Sequence, residues 1–83
     1  MGIKIICAIK EADNKVHQYL YYFKDELRGA KAYNRLQEQS TKHDKIVCSY
    51  ITCYQVADIG GSVIETDHFE FHREGYLNVS PIT

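Results

Sequence analysis

Apolar residues recur with a period of two near the start of the chain, and a second run rich in apolar and aromatic residues follows a short polar segment. Residues 2–10 read GIKIICAIK, in which the odd positions from 3 to 9 are isoleucine or cysteine. Residues 11–14, EADN, are of types that favour a turn. Residues 16–23, VHQYLYYF, are rich in β-branched and aromatic residues, which favour a strand. The pattern predicts a β-hairpin. Its second strand is apolar on both faces, which predicts a central position in the sheet or a covered outer face.

The period changes to that of an α-helix between Asp25 and Gln39. Asp25 is the predicted N-cap of a helix from about residue 26 to residue 39. The predicted apolar face consists of Leu27, Ala30, Tyr33 and Leu36. A glycine inside a helix costs about 1 kcal/mol relative to alanine. Gly29 therefore predicts either close packing against the sheet or a helix that begins later.

The second half of the chain returns to strand patterns. Residues 45–55 are rich in isoleucine, valine, tyrosine and threonine and predict a third strand. Residues 58–62, DIGGS, form the strongest turn signal, and residues 63–72 predict a fourth strand with an interruption near Asp67. Residues 76–79 predict a short edge strand.

Length and composition limit how these elements are arranged. A chain of 83 residues, 45% hydrophobic and 25% charged, is typical of one globular core. We therefore predict a single domain over residues 1–83, an α+β fold with one antiparallel four-stranded sheet in the order β-β-α-β-β and one helix packed on one face. No apolar stretch approaches the roughly 20 residues of a membrane span. We expect a cytoplasmic protein that does not contact a membrane.

The three cysteines lie within apolar runs and are odd in number. We predict that Cys7, Cys48 and Cys53 are reduced, mostly buried and act as small hydrophobic residues. A separation of five places Cys48 and Cys53 on opposite faces of a regular strand, so a shared metal thiolate site would need a bulge. The two histidines of residues 68–72, HFEFH, lie about 13 Å apart along a strand. No metal site and no cofactor is predicted.

Four cations form the first candidate binding feature. At about 100° per residue they lie close together and opposite the predicted apolar face. They are Lys24, Arg28, Lys31 and Arg35, here called the basic stripe. Cations at these spacings repel one another by roughly 0.2–0.5 kcal/mol per pair, which an anionic partner would relieve. An ordinary solvated helix face remains the simpler explanation, since lysine and arginine are good helix formers.

Charge and tyrosine content define the second candidate feature. Residues 1–45 hold nine Lys and Arg and six Asp and Glu, whereas residues 46–83 hold one and five, for a formal net charge of −1. Binding to nucleic acid would therefore have to be local. The chain has seven tyrosines and no tryptophan. A tyrosine side chain has a large apolar ring and a polar hydroxyl, so it suits a surface that is solvent-exposed in the free protein and buried in a complex. Tyr19 and Tyr21 join the basic stripe as predicted binding residues.

Several classes of function remain open. The chain has no P-loop, dinucleotide-binding fingerprint, nucleophile elbow or HExxH, so we predict no catalytic residues and no enzyme activity. One hypothesis is a protein-binding inhibitor or adaptor. A second is an RNA- or DNA-binding module that uses the basic stripe and exposed tyrosines, and a third is a homodimer formed through an edge strand. Near-neutral charge and the acidic second half favour the first.

The architecture supports a comparison with one class of protein. The chain opens on the strand GIKIICAIK, has one helix in DELRGAKAYNRLQEQ and ends its third strand at a hairpin around DIGG. In this layout it resembles the small phage-encoded counter-defence proteins, namely the anti-CRISPR and antitoxin-like inhibitors. The resemblance covers the whole chain, includes no diagnostic motif and transfers no site residues. It implies an inhibitor that binds a protein complex or nucleoprotein of the host and occludes a nucleic-acid channel or an enzyme surface.

Overall fold

The computed structural model describes residues 1–58 and 60–76, which form four strands and one helix. In chain order these are β1 (Gly2–Glu11), β2 (Val16–Phe23), α1 (Glu26–Lys42), β3 (Ile46–Val56) and β4 (Val63–His72). All strand pairs are antiparallel in a single sheet with the order β2-β1-β3-β4. The predicted α+β fold is confirmed. The strand expected at residues 76–79 lies outside the described residues, except for Tyr76.

β2 is an edge strand, and the prediction of a central or covered position is wrong. β1 pairs with β2 on one side and with β3 on the other, so β2 has a single neighbouring strand among the described residues. The side chains of Leu20 and Tyr22 are 65% and 59% exposed. Burial within the described part of the chain therefore does not explain why β2 is apolar on both faces.

The two faces of the sheet have different environments. The odd positions of β1 face α1, and Ile5 and Cys7 are 0% and 2% exposed. With Tyr33, Ile51 and Cys53 they form the main core. The opposite side is here called the open face. Its members are the even positions of β1 from 4 to 10 and the residues paired with them on the neighbouring strands.

A close contact at Gly29 sets how α1 lies on the sheet. A Cβ atom at Gly29 would be 2.5 Å from Cβ of Ile3, which confirms the close packing that this glycine predicted. The buried residues of α1 are Gly29, Tyr33 and Ser40. Leu27 is 64% exposed and Ala30 is also exposed, so that part of the predicted apolar face is wrong. Leu27 lies roughly 160° around the helix from Gly29, the residue that packs against the sheet.

Side chains cap both ends of α1. Asp25 is the N-cap, as predicted, and its Oδ1 accepts hydrogen bonds from the backbone nitrogens of Leu27 at 2.9 Å and Arg28 at 3.4 Å. The helix continues to Lys42, three residues beyond the predicted end. Arg73, just after β4, donates to carbonyl oxygens around this end. Its acceptors are the backbone oxygens of Ser40 at 3.3 Å, Thr41 at 3.1 Å, His43 at 3.1 Å and Ile46 at 3.0 Å. The contacts to Ser40 and Thr41 satisfy carbonyls of the last helical turn, which have no partner within the helix, and those to His43 and Ile46 tie Arg73 to the segment that follows.

The interruption expected near Asp67 is a β-bulge in a continuous strand. The register between β3 and β4 shifts between Cys53 and Tyr54, and Thr66 is left without an opposing residue. The Thr66 hydroxyl donates to the backbone oxygen of Cys53 at 3.2 Å. All three cysteines are free and buried, as predicted. Cys48 pairs with Lys10 on the open face and Cys53 with Ile5 on the α1 side, which confirms that the two thiols lie on opposite faces.

Candidate binding groove

A groove of about 710 Å³ lies between the second half of α1 and the adjoining ends of β1, β2 and β3. It is here called the α1–β2 groove, because the helix lies over the middle of the sheet and leaves this part of β2 uncovered. Its apolar lining consists of Cys7, Ile9, Tyr19, Tyr21, Leu36 and Ile46. Its polar lining consists of Glu11, His17, Arg35, Glu38, Gln39, Ser40, Lys42, His43 and Lys45. The volume falls within the range of roughly 300–1,000 Å³ that is typical of ligand pockets.

Two stacked tyrosines form the β2 side of the groove. Tyr19 and Tyr21 lie two residues apart on the α1 side of β2, with ring centroids 6.2 Å apart and an angle of 21° between the ring planes. Tyr19 is 43% exposed. Burial, followed by the charges of Cys7 and Tyr19, raises the pKa of Tyr21, so its phenol stays a neutral hydrogen-bond donor at physiological pH. The pair offers a broad aromatic surface with polar tips.

Cations on the rim exceed the acids that can neutralise them. Glu11 Oε1 lies 2.7 Å from His17 Nε2, and Glu38 Oε2 lies 3.9 Å from Lys42 Nζ. Arg35 and Lys45 have no ion pair with any residue in the described part of the chain. The groove therefore combines an aromatic wall with two cations that are available to an anionic group.

The four residues of the basic stripe do not belong to a single site in the structure. Lys24 precedes the helix, and its charge contributes to a low pKa of the Asp58 carboxyl, which is caused first by hydrogen bonding to the Met1 amino group. Arg28 Nε lies 3.9 Å from Asp25 Oδ2. All four cations are exposed, but only Arg35 lines the groove. Of the predicted binding residues, the fold thus brings together Arg35, Tyr19 and Tyr21. Lys24, Arg28 and Lys31 lie outside that site.

Sequence reasoning missed several residues of the groove. Lys42 and Lys45 flank the short polar segment between α1 and β3, and His17 is the second residue of β2. They approach Arg35 only because β1 and β2 pair in one particular register and because α1 extends to Lys42. The cluster of charged residues around residue 43 could be recognised from the sequence. That this cluster lies beside Tyr19 and Tyr21 could not, because its position depends on tertiary contacts.

The β4 side of the open face contains a polar network. The hydroxyl of Thr52 lies 2.9 Å from His68 Nδ1, and His68 Nε2 lies 3.0 Å from Glu70 Oε1. The ring of Tyr50 packs against that of His68 with centroids 4.5 Å apart. Hydrogen bonding from Tyr50, and then from His68, lowers the pKa of the Glu70 carboxyl. The polar groups on this side of the face thus bond mainly to one another.

The two histidines of β4 have separate partners. His72 Nδ1 lies 3.2 Å from Cys48 Sγ, whereas His68 contacts Thr52 and Glu70. Over residues 1–58 and 60–76, no three side chains of the metal-ligating types come close enough to hold one ion. Burial raises the pKa of the Cys48 thiol, so this thiol is not an activated nucleophile.

Comparisons of this chain with protein families, curated proteins and solved structures find no match. In the part of the chain that the structure describes, no helix combines the length and apolar character needed to cross a membrane. The groove and the surfaces of the sheet are therefore the features from which function is inferred.

Proposed function

We propose that this protein is a non-enzymatic binding domain that holds an acidic, partly apolar segment of a partner protein in the α1–β2 groove. The observation that carries the proposal is the juxtaposition of Arg35 and Lys45, which have no ion pair, with the stacked rings of Tyr19 and Tyr21. An apolar side chain of the partner packs on the rings, and its carboxylates meet the two cations.

Binding through both the cations and the tyrosines is more favourable than binding through either group alone. An exposed ion pair contributes only about 0–1 kcal/mol, so the cations mainly orient the partner and exclude basic segments. Tyrosines supply large contact areas with little loss of side-chain freedom, and they are common among residues that dominate binding energy. The tyrosines therefore supply most of the affinity, and Arg35 supplies the selectivity for acidic segments.

The proposed biological role is inhibition of a host defence complex or a toxin. A small domain inhibits without chemistry of its own when it occupies a surface that its target needs for another ligand. Two considerations support the role. One is the resemblance in architecture to counter-defence inhibitors, and the other is a concave, positively charged groove suited to an acidic segment on an enzyme.

Single-stranded nucleic acid is a second candidate ligand, because bases stack on aromatic rings beside cations in many binding proteins. The stacked Tyr19 and Tyr21 next to Arg35 favour it. The acidic residues Glu11 and Glu38 in the same groove oppose it. These acidic residues favour the protein-binding function over binding of nucleic acid.

Defined probes test the proposal. Fluorescence anisotropy would measure binding of a labelled twelve-residue peptide in which aspartate and glutamate flank leucine and phenylalanine, of its counterpart with lysine at the acidic positions, and of a twelve-residue oligouridylate. We expect the acidic peptide to bind more tightly than the basic peptide by about tenfold or more. Arg35→Glu should weaken its binding about fivefold or more, the equivalent of about 1 kcal/mol.

Arg28→Glu is the matched control. It makes the same change of charge on the same exposed side of α1 but lies outside the groove. Equal losses from Arg28→Glu and Arg35→Glu would show a general electrostatic attraction and would contradict the groove as the site. Tight binding of the oligouridylate with a steep dependence on salt, without binding of the acidic peptide, would support the nucleic-acid function instead.

A further inference from the structure

The outer edge of β2 lacks the devices that keep sheet edges from pairing. Native proteins protect edge strands with charged side chains, prolines, bulges or short strands. β2 is eight residues long, contains no proline, Lys, Arg, Asp or Glu, and pairs with β1 in an unbroken register. Its exposed large hydrophobic residues are Val16 at 46%, Tyr19 at 43%, Leu20 at 65% and Tyr22 at 59%. Within residues 1–58 and 60–76, no strand pairs with this edge.

The opposite edge is protected in the usual way. β4 carries Glu65, Asp67 and Glu70 along its length and a bulge at Thr66. In a second copy that approached this edge, the acidic residues of β4 would repel those of the first copy. The bulge would also disturb the regular hydrogen bonding between the two strands. The two edges therefore differ in their capacity to pair with the same edge of another copy.

We infer that β2 pairs with β2 of a second copy of this chain, in antiparallel orientation, to form a continuous eight-stranded sheet. A copy is the occupant that the charges fit best, since an edge without Asp, Glu, Lys or Arg does not repel itself. Antiparallel pairing between identical strands is also closed by a two-fold axis, so the assembly stops at two copies.

The two-fold axis constrains which residues meet. Opposed residues in an antiparallel pair lie on the same face, so even positions of β2 meet even positions and odd positions meet odd positions. An axis at Leu20 places this leucine against its own copy, and it places Tyr19 against Tyr21 of the second copy. The most exposed apolar side chain of β2 then becomes covered, and the tyrosines extend the stacking already present within one chain.

Backbone hydrogen bonds add to this contact. Alternate residues of a strand direct both backbone groups to the same side, so four of the eight residues of β2 point outward, and two copies can form about eight bonds. Each of these bonds uses a backbone group that pairs with no strand in the described part of the single chain.

The same pairing joins the two α1–β2 grooves, and this part of the inference rests on the proposed function. With strands about 4.8 Å apart and α1 over the middle of the sheet, the two helix axes would lie roughly 19 Å apart across the joint. A helix about 10 Å in diameter then leaves a trough roughly 9 Å wide between them. Tyr19 and Tyr21 of both copies form its floor, and Arg35 of each copy lines a wall.

Sedimentation velocity of the protein without any partner tests the self-pairing, so its result does not depend on the proposed function. The wild-type chain should pass from monomer to dimer as its concentration rises. Leu20→Lys should weaken the dimer about tenfold or more, because two lysines meet at the two-fold axis. Ile64→Lys on β4 is the matched control, since Ile64 is 63% exposed, and it should leave the dimer intact.

Mixing two variants separates a broken interface from an unfolded chain. Leu20→Lys and Leu20→Glu should each be monomeric alone and should form a mixed dimer when combined, since opposite charges then meet at the axis. A wild-type chain that stays monomeric, a Leu20→Lys chain that dimerises normally, a loss with Ile64→Lys equal to that with Leu20→Lys, or variants that do not combine would each overturn the inference.

Discussion

The two edges of the sheet, β2 and β4, flank the same core but differ in composition. Both strands are largely exposed. β4 begins with two exposed apolar residues beside its turn, and beyond them it carries three acids, two histidines and a bulge. β2 has no acidic residue, lysine or arginine and is apolar or aromatic at six of its eight positions, Val16, Tyr19, Leu20, Tyr21, Tyr22 and Phe23.

The difference between the two edges indicates that contacts outside the chain involve β2. Residues in an exposed strand need not be apolar for the chain to fold, and β4 shows that this fold accepts a polar edge. The apolar residues of β2 that lie in solvent therefore point to a surface that is covered in the assembled state. The groove beside the same strand fits this view, because Tyr19 and Tyr21 belong to both features.

The largest effect is expected from breaking the attachment between the end of β4 and α1. Arg73→Ala removes a charged group that donates to four backbone carbonyls, so the free energy of unfolding should fall by about 3 kcal/mol. Urea denaturation would measure it. Arg73→Lys should recover part of the loss, because one ammonium group reaches fewer acceptors. A loss below about 1 kcal/mol for Arg73→Ala would contradict this role.

A smaller effect is expected where α1 contacts the middle of the sheet. Gly29→Ala places a methyl group 2.5 Å from Cβ of Ile3, so α1 must shift. We expect a loss of about 1–3 kcal/mol in the free energy of unfolding, despite the gain of about 1 kcal/mol in helix propensity. Asn34→Ala, at an exposed position of α1, is the control and should be neutral or slightly stabilising. If Gly29→Ala raises the stability as well, the contact with Ile3 does not position the helix.

The smallest effect concerns Tyr33, which lies in the core near Asp67 of β4. Burial, and then the charge of Asp67, raises the pKa of Tyr33 from 10.0 to about 12. Because the folded-state pKa is raised, the stability that depends on a neutral Tyr33 is present below pH 10 and is lost as the pH rises toward 12. Its hydroxyl has no hydrogen-bond partner among the described residues.

Tyr33→Phe should therefore leave the free energy of unfolding at pH 7 within about 1 kcal/mol of the wild-type value, or raise it. The same variant should lose less stability between pH 10 and 12, where the wild-type phenol ionises on unfolding. Thermal unfolding over that range would measure both. A Tyr33→Phe protein that loses stability with pH as steeply as the wild type would show that Tyr33 does not titrate in this way.

The sequence predicted those features that depend on local pattern. Period-two alternation located β1 and β4, runs of β-branched and aromatic residues located β2 and β3, and Asp25 marked the start of α1 where the structure places it. The cysteines followed from their apolar neighbours, and Gly29 indicated the close approach to Ile3. Each of these signals lies within a few residues of the feature that it predicts.

Features that depend on the packing of distant segments were not predictable. The end of α1 depends on Arg73, which is 30 residues from the helix cap His43. The exposure of Leu27 follows from the rotation of α1 that the Gly29 contact fixes. The edge position of β2 and the groove follow from the choice of β1 rather than β2 as the partner of β3, and both strands have suitable compositions.

Amide hydrogen exchange at several protein concentrations would show whether the outer side of β2 is the edge that pairs with a second copy. Alternate amides of β2, those directed away from β1, should exchange quickly at low concentration and become protected as the concentration rises. The outward amides of β4 should exchange at the same rate throughout. Exchange in β2 that does not change with concentration, or protection that rises equally in β4, would show that β2 is not the edge that pairs.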